Sequence, residues 1–183
     1  MTQPLRSAAE VVAFWTEAGP QRWFRKDEAF DAGFRERFLS THEAAARGDL
    51  LGWCADAQGA LALLVMLDQF PRNAFRGSPR TFATDPLARL VAHRALEAGF
   101  DLQAADPGLR NFFYLPFMHS EWLPDQERAL RLCQQLSAEA AHHARIHHEI
   151  VARFGRFPHR NPLLGRESTA EEEAFLAGGG FAG

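Results

Sequence analysis

Nowhere in the 183 residues do apolar and polar side chains alternate over a strand's length between turn residues, so a half-buried strand has no place to form. Helical punctuation takes its place. Ser7 followed by Glu10 makes a capping box, and Val11, Val12, Phe14 and Trp15 supply the buried side of a first helix. After Gly19-Pro20, Asp27 can cap a second helix, on which Phe30, Phe34 and Phe38 recur every four residues as one stripe before Gly48. A third helix is expected from Asp56 to Phe70, apolar almost all round and therefore central. Asp85-Pro86 reads as an N-cap followed by Pro at the first helical position, with Gly99 as the stop. Asp106-Pro107 repeats the device for a helix bearing Phe112, Phe113, Tyr114, Leu115 and Phe117. Further helices are expected over 123–136 and 138–154, the latter stopped by Gly155. Ser168 with Glu171 reads as a second capping box, opening a short helix through Phe175. The pattern predicts an all-α fold of seven to eight helices, packed antiparallel through short connections. One domain over 1–183 is expected, with the glycine-rich stretch 177–183 frayed. No fixed repeat of tetratricopeptide length is legible in the residues.

Composition narrows the function. A net charge of -3 gives no field that would draw nucleic acid or an anionic bilayer, so neither is expected as a partner. The longest apolar run, Gly59 to Leu67, is too short to span a membrane and ends in Asp68. The stretch "MTQPLRSAAEVVAFW" has no apolar core with a small-residue cleavage site. Cys54 and Cys133 stand far apart in no metal-type spacing, as expected of two reduced thiols. Together these features predict a soluble cytoplasmic protein. Lys26 is the single lysine beside nineteen arginines, a bias that codon usage accounts for, so each Arg must be argued from its position.

Three polar blocks interrupt the apolar pattern. In "LDQFPRNAFRG", Asp68 closes a greasy helix at the negative end of its dipole. Arg72 and Arg76 follow at intervals of four and can compensate it. Pro71 cannot donate to Leu67, so the helix should end or kink there and leave carbonyls for Gln69 and Asn73. In "YLPFMHSEW", Pro116 is expected to disrupt a helix just before His119, Ser120 and Glu121. In "HHARIHHEIVARFGRFPHRNPLLGRES", a helical wheel groups His143 and His147 with Ile146, Ile150 and Phe154, and turns His148 and Glu149 outward. His143 and His147 have ligand-pair spacing, but no HExxH pattern and no nearby Cys supports a metal site, and none is expected. The loop after Gly155 brings Arg160, Asn161 and Arg166.

The stretches "LDQFPRNAFRG…FATD", "YLPFMHSE" and "RFGRFPHRN…LGRES" resemble the mainly bacterial domain-of-unknown-function 924 family, and the likeness runs from "VVAFW" to the final "AFL". The resemblance implies an all-α fold similar to tetratricopeptide superhelices. It implies no established activity, cofactor or catalytic residue. In "IHHEIVARFG", His147 matches the family pattern, whereas other residues often stand at His148 and Glu149.

These residues support one leading expectation: a polar pocket that binds a small anion, a phosphate or a carboxylate, without a cofactor. Asp68, Gln69, Arg72, Asn73, Arg76, Ser120, Arg160, Asn161 and Arg166 would line it. Were it a hydrolase or transferase, His119 or His147 would be the base and Glu121 or Asp68 the orienting group. No nucleophile motif such as GxSxG accompanies them, so the residues leave open whether the chain is an enzyme. A second reading is a helical scaffold for a peptide or protein partner, using any of Trp15, Trp23, Trp53 and Trp122 that reach the surface. A third is wholly structural: buried ion networks that fix helix ends.

Overall fold

The fold is described from a computed structural model, which describes residues 4–104 and 106–182. Met1 to Gln3 of the stretch read for a leader, Ala105 and Gly183 of the tail lie outside these residues. All regular structure among the described residues is helical. The chain divides into two compact units, Met1–Pro116 and Phe117–Gly183.

The first unit opens with α1 (Ala8–Ala18), where Ser7 and Glu10 make the expected reciprocal capping box. A single turn, α2 (Pro20–Trp23), leads to α3 (Glu28–Ala46), whose first N–H groups are taken by Asp27. The predicted phenylalanine stripe does the packing. Phe14 of α1 stacks on Phe30 and Phe34 at 5.5 and 5.2 Å, and Phe34 meets Phe70 edge-on at 5.0 Å. After a 3-10 turn (Leu51–Ala55), Asp56 caps α4 (Ala57–Leu64) by accepting the Gly59 N–H at 2.8 Å. Every residue from Gly59 to Pro71 is buried, as an all-round apolar helix requires.

Three boundaries in the first polar and aromatic blocks differ from the sequence reading, and a fourth follows at α12. Pro71 neither ends nor sharply breaks the central helix. Instead, α4 runs into a π-helical segment (Val65–Gln69), where the Phe70 N–H reaches back five residues to the Val65 carbonyl. The chain then resumes as α5 (Phe70–Ala74), with Pro71 in its first turn, where a missing N–H costs least. At α6 (Asp85–Glu97) the capping position belongs to Thr84, and Asp85 is already helical with its carboxylate engaged elsewhere. The single helix expected to carry Phe112 to Phe117 is a chain of short turns: α7 (Pro107–Arg110), a 3-10 turn (Asn111–Phe113) and α8 (Leu115–Met118). Pro116 therefore lies within the first turn of α8, not at a broken helix end.

The second unit is built on α9 (Leu123–Leu136) and α10 (Ala138–Phe154), joined through Ser137 and paired more extensively than any other two elements. Gly155 ends α10 at φ 69°, a left-handed conformation that glycine adopts without penalty. A short turn, α11 (Asn161–Leu164), precedes α12 (Ala170–Ala177). The capping box of α12 lies one residue beyond the expected pair, at Thr169 and Glu172. Glycines 178 to 180 continue the backbone hydrogen bonding of α12, and the ring of Phe181 lies 4.7 Å from that of His147.

Candidate functional site

The predicted site residues fall into two clusters, one in each unit. In the first, Asp68 is only 1 % exposed. Its carboxylate pairs with Arg72 Nη1 at 3.2 Å and accepts from Gln69 Nε2 at 2.6 Å. Arg72 also donates from Nη1 to the Asp68 carbonyl at 2.8 Å and grips Asp85 with both terminal nitrogens, at 2.9 and 3.1 Å. Burial alone would lower the Arg72 pKa, but Asp68 and Asp85 together raise it above its ordinary value. Arg76 does not compensate Asp68. It donates to Asp31 of α3 at 2.7 Å, and Asn73 donates to the other oxygen of the same carboxylate at 2.7 Å.

The carbonyls affected by Pro71 find other donors than Gln69 and Asn73. The Met66 carbonyl faces His42 Nδ1 at 2.9 Å, and the Leu67 carbonyl accepts the Thr84 hydroxyl at 2.5 Å. This cluster is a set of mutually satisfied ties between α3, the π segment, α5 and α6. Asp31, His42, Thr84 and Asp85 were missed as its members. They lie 13 to 45 residues from the groups they bond, or 17 for Thr84 and 24 for His42, and no local spacing marks them.

The second cluster combines the other two polar blocks. Glu121 accepts from Arg166 through both oxygens at 2.7 and 2.9 Å, and takes the Phe157 N–H at 2.8 Å. Burial would raise its pKa, but the Arg166 bonds, the Phe157 N–H and the nearby Arg160 charge hold it below the usual carboxylate range. Arg166 also donates to Asn161 Oδ1 at 2.9 Å. Asn161 is fully buried and donates to Ser168 and Glu172. Arg156 grips Glu172 at 2.6 and 2.8 Å and, with the Thr169 N–H and Asn161, holds that carboxyl down at about 2 against the opposing effect of burial. Ser120 is buried, and its carbonyl and that of Met118 both accept from Gln126 Nε2, a side chain with no exposed surface that the sequence did not single out.

Beside these knots lies a different arrangement. His147, His159 and Arg160 gather about the ring of Phe157, and His119 lies against His147 and Arg160. The guanidinium of Arg160 sits over that ring at 4.6 Å and donates to the His119 carbonyl at 2.9 Å. His147 lies 5.5 Å from Phe157 and 6.3 Å from His119, and His159 lies 5.7 Å from Phe157, centroid to centroid. Arg160 is 6 % and His147 9 % exposed. A carbonyl can only accept, so the 2.9 Å contact of His147 Nδ1 with the His143 carbonyl places the proton on Nδ1. Burial, then the neighbouring His119, push the His147 pKa down to about 3, and Arg160 and His159 add to the fall. The ring is therefore neutral near pH 7. His143, grouped with His147 by the wheel, is exposed, and His148 is half-buried where it was expected to face solvent. No set of three or more His, Cys, Asp or Glu side chains among the described residues could hold a metal ion.

No helix among the described residues is long and apolar enough to cross a membrane. The class defined so far is an all-α protein with buried ion knots and one imidazole–guanidinium cluster. The chain belongs to the family of bacterial proteins of unknown function DUF924, whose model matches residues 11–180. It is also similar to the solved structure of a protein of unknown function from Agrobacterium tumefaciens. The two chains are 54 % identical, the match covers 92 % of this chain and 96 % of that one, and the TM-score is 0.90. No curated protein matches the chain.

Proposed function

We propose that this chain binds a small anion, a phosphate or a carboxylate, at the cluster of His119, His147, His159 and Arg160, and that the Asp68–Arg72 network is architectural. The observation that carries this reading is the convergence of His147, His159 and the Arg160 guanidinium on Phe157, with His119 beside His147, within the second unit. Such a set offers imidazole N–H groups from His119 and His159 and the fixed positive charge of Arg160 in a partly dry setting, where both act more strongly than in water, while His147, whose one N–H is held by the His143 carbonyl, packs beside them. Glu121 belongs to the frame of this site through Arg166 and Phe157. Binding is favoured over turnover, because an imidazole with a pKa near 3 is a weak general base at neutral pH.

Thermal unfolding in phosphate, against chloride at equal ionic strength, tests the proposal. Phosphate is expected to raise Tm by mass action in the wild type and in Arg72→Gln, but not in Arg160→Gln or His159→Gln. An unchanged wild-type Tm, or a shift retained by both second-unit variants, would remove the reading.

The scaffold reading has one observation behind it: Trp122 is 59 % exposed, whereas Trp15 and Trp23 are buried. Single exposed aromatics such as Trp122 and Phe24 define no groove, and the anion reading is preferred.

A further inference from the structure

The imidazole cluster adjoins an apolar feature on the same helix. An open groove of about 310 Å³ is lined by Ile146, Ile150 and Phe154 of α10, by Phe175 of α12 and by Phe181, with Glu149 and Arg153 on its walls. That volume lies at the small end of ligand-sized sites. Phe181 belongs to both features. Its ring is 4.7 Å from His147 and 5.3 Å from His159, and the same side chain lines the groove. Ile146 and Ile150 flank His147 along α10 at one residue before and three after. A polar, cationic head site and an apolar trough are thus continuous through one aromatic ring.

We infer that the ligand of this site is a free amphipathic carboxylate, with its head at Arg160 and His159 and its aliphatic body in the groove beside Phe181. This rests on the anion reading above and adds the nature of the body. A bare inorganic anion would leave the groove filled with water against Ile146, Ile150, Phe154 and Phe175. An aliphatic body would remove that apolar surface from water. Charge complementarity at the head selects an acid over an alcohol or amine of the same length.

Calorimetric titration of the whole chain with acetate, butanoate and hexanoate at pH 7 and fixed ionic strength is the test, with hexanol as the neutral control. Each methylene that enters the groove is expected to lower Kd about two- to fourfold. Hexanol is expected to bind at least about tenfold more weakly than hexanoate, the loss of one charge-assisted contact. Ile146→Ser and, independently, Phe175→Ala are expected to flatten the chain-length series while leaving acetate binding unchanged. If phosphate and acetate bind with no gain from added methylenes, this inference falls and the anion reading stands. If no anion binds, both fall. A chain-length gain retained in both variants would also overturn it. So would cosedimentation with phosphatidylglycerol vesicles in the absence of hexanoate binding, because the apolar trough would then serve a bilayer.

Discussion

A carboxylate buried within an apolar helix is poorly placed, and Asp68 is tolerated because partners reach it from several directions. Arg72 is held between Asp68 and Asp85, with its side chain 17 % exposed, so the pair is largely dry. Removing Arg72 would leave the Asp68 and Asp85 carboxylates uncompensated. Arg72→Ala is expected to destabilise the fold by about 3–5 kcal/mol in urea unfolding. Thr84 acts more quietly, through one hydroxyl on the Leu67 carbonyl. Thr84→Val keeps the shape and strands that carbonyl, at an expected cost of about 1–3 kcal/mol in the same measurement. The spacing of Asp68 and Arg72 was legible because four residues bring side chains together on a helix. The same rule misassigned Arg76. Its distance from Asp68 suits a regular helix, but α5 ends at Ala74 and Arg76 lies in the turn beyond it, where Asp31 of α3 is within reach. A competing partner 45 residues away leaves no mark near Arg76 in the sequence.

At the scale of elements, the caps were legible and their registers were less so. A residue that can cap announces itself by type, whereas the choice between neighbours depends on what else the side chain can bond. Asp85 looked like a cap, but Arg72 claims its carboxylate, and Thr84 takes the capping position. Thr169, not Ser168, caps α12, and the Ser168 hydroxyl accepts from Asn161. Thr169→Ala is expected to cost about 1 kcal/mol by chemical denaturation, more than Ser168→Ala. α4 carries another constraint. A Cβ added at Gly59 would lie 2.0 Å from the Trp53 carbonyl oxygen, so α4 and the 3-10 turn before it can approach only through glycine. Gly59→Ala is expected to force the two apart, at a cost of about 1–3 kcal/mol and a lower Tm.

At the scale of the whole molecule, buried imidazoles tie stability to pH. His42, against the Met66 carbonyl, is lowered chiefly by burial, and His147 is lowered to about 3. Both rings are neutral in the folded chain near pH 7, and both take up a proton near pH 6.5 once unfolded. The unfolded state therefore binds more protons as pH falls below 6.5, so stability declines on acidification. For His147 alone the loss at pH 5 is about 2 kcal/mol. Urea titrations at pH 7.5 and pH 5 should show that decline, and His147→Gln should reduce it.

The sequence by itself determined that the chain is helical, where most long helices begin and end, which phenylalanines form the stripe, and that His147 turns inward. All of these follow from periods of three and four residues and from local hydrogen bonds, which a one-dimensional string contains. It also singled out Arg72, His119, Glu121, His147, Arg160 and Arg166 as residues of a polar kind beside the core. Only the tertiary structure decided what each one does. It made Asp68–Arg72–Asp85 and Glu121–Arg166 closed ion pairs, and it gathered His147, His159 and Arg160 about Phe157 with His119 beside them. The physical reason is the competition for partners. A buried charge or amide bonds to whichever complementary group the packing delivers, and that group is chosen by the path of the chain, not by its neighbours in sequence.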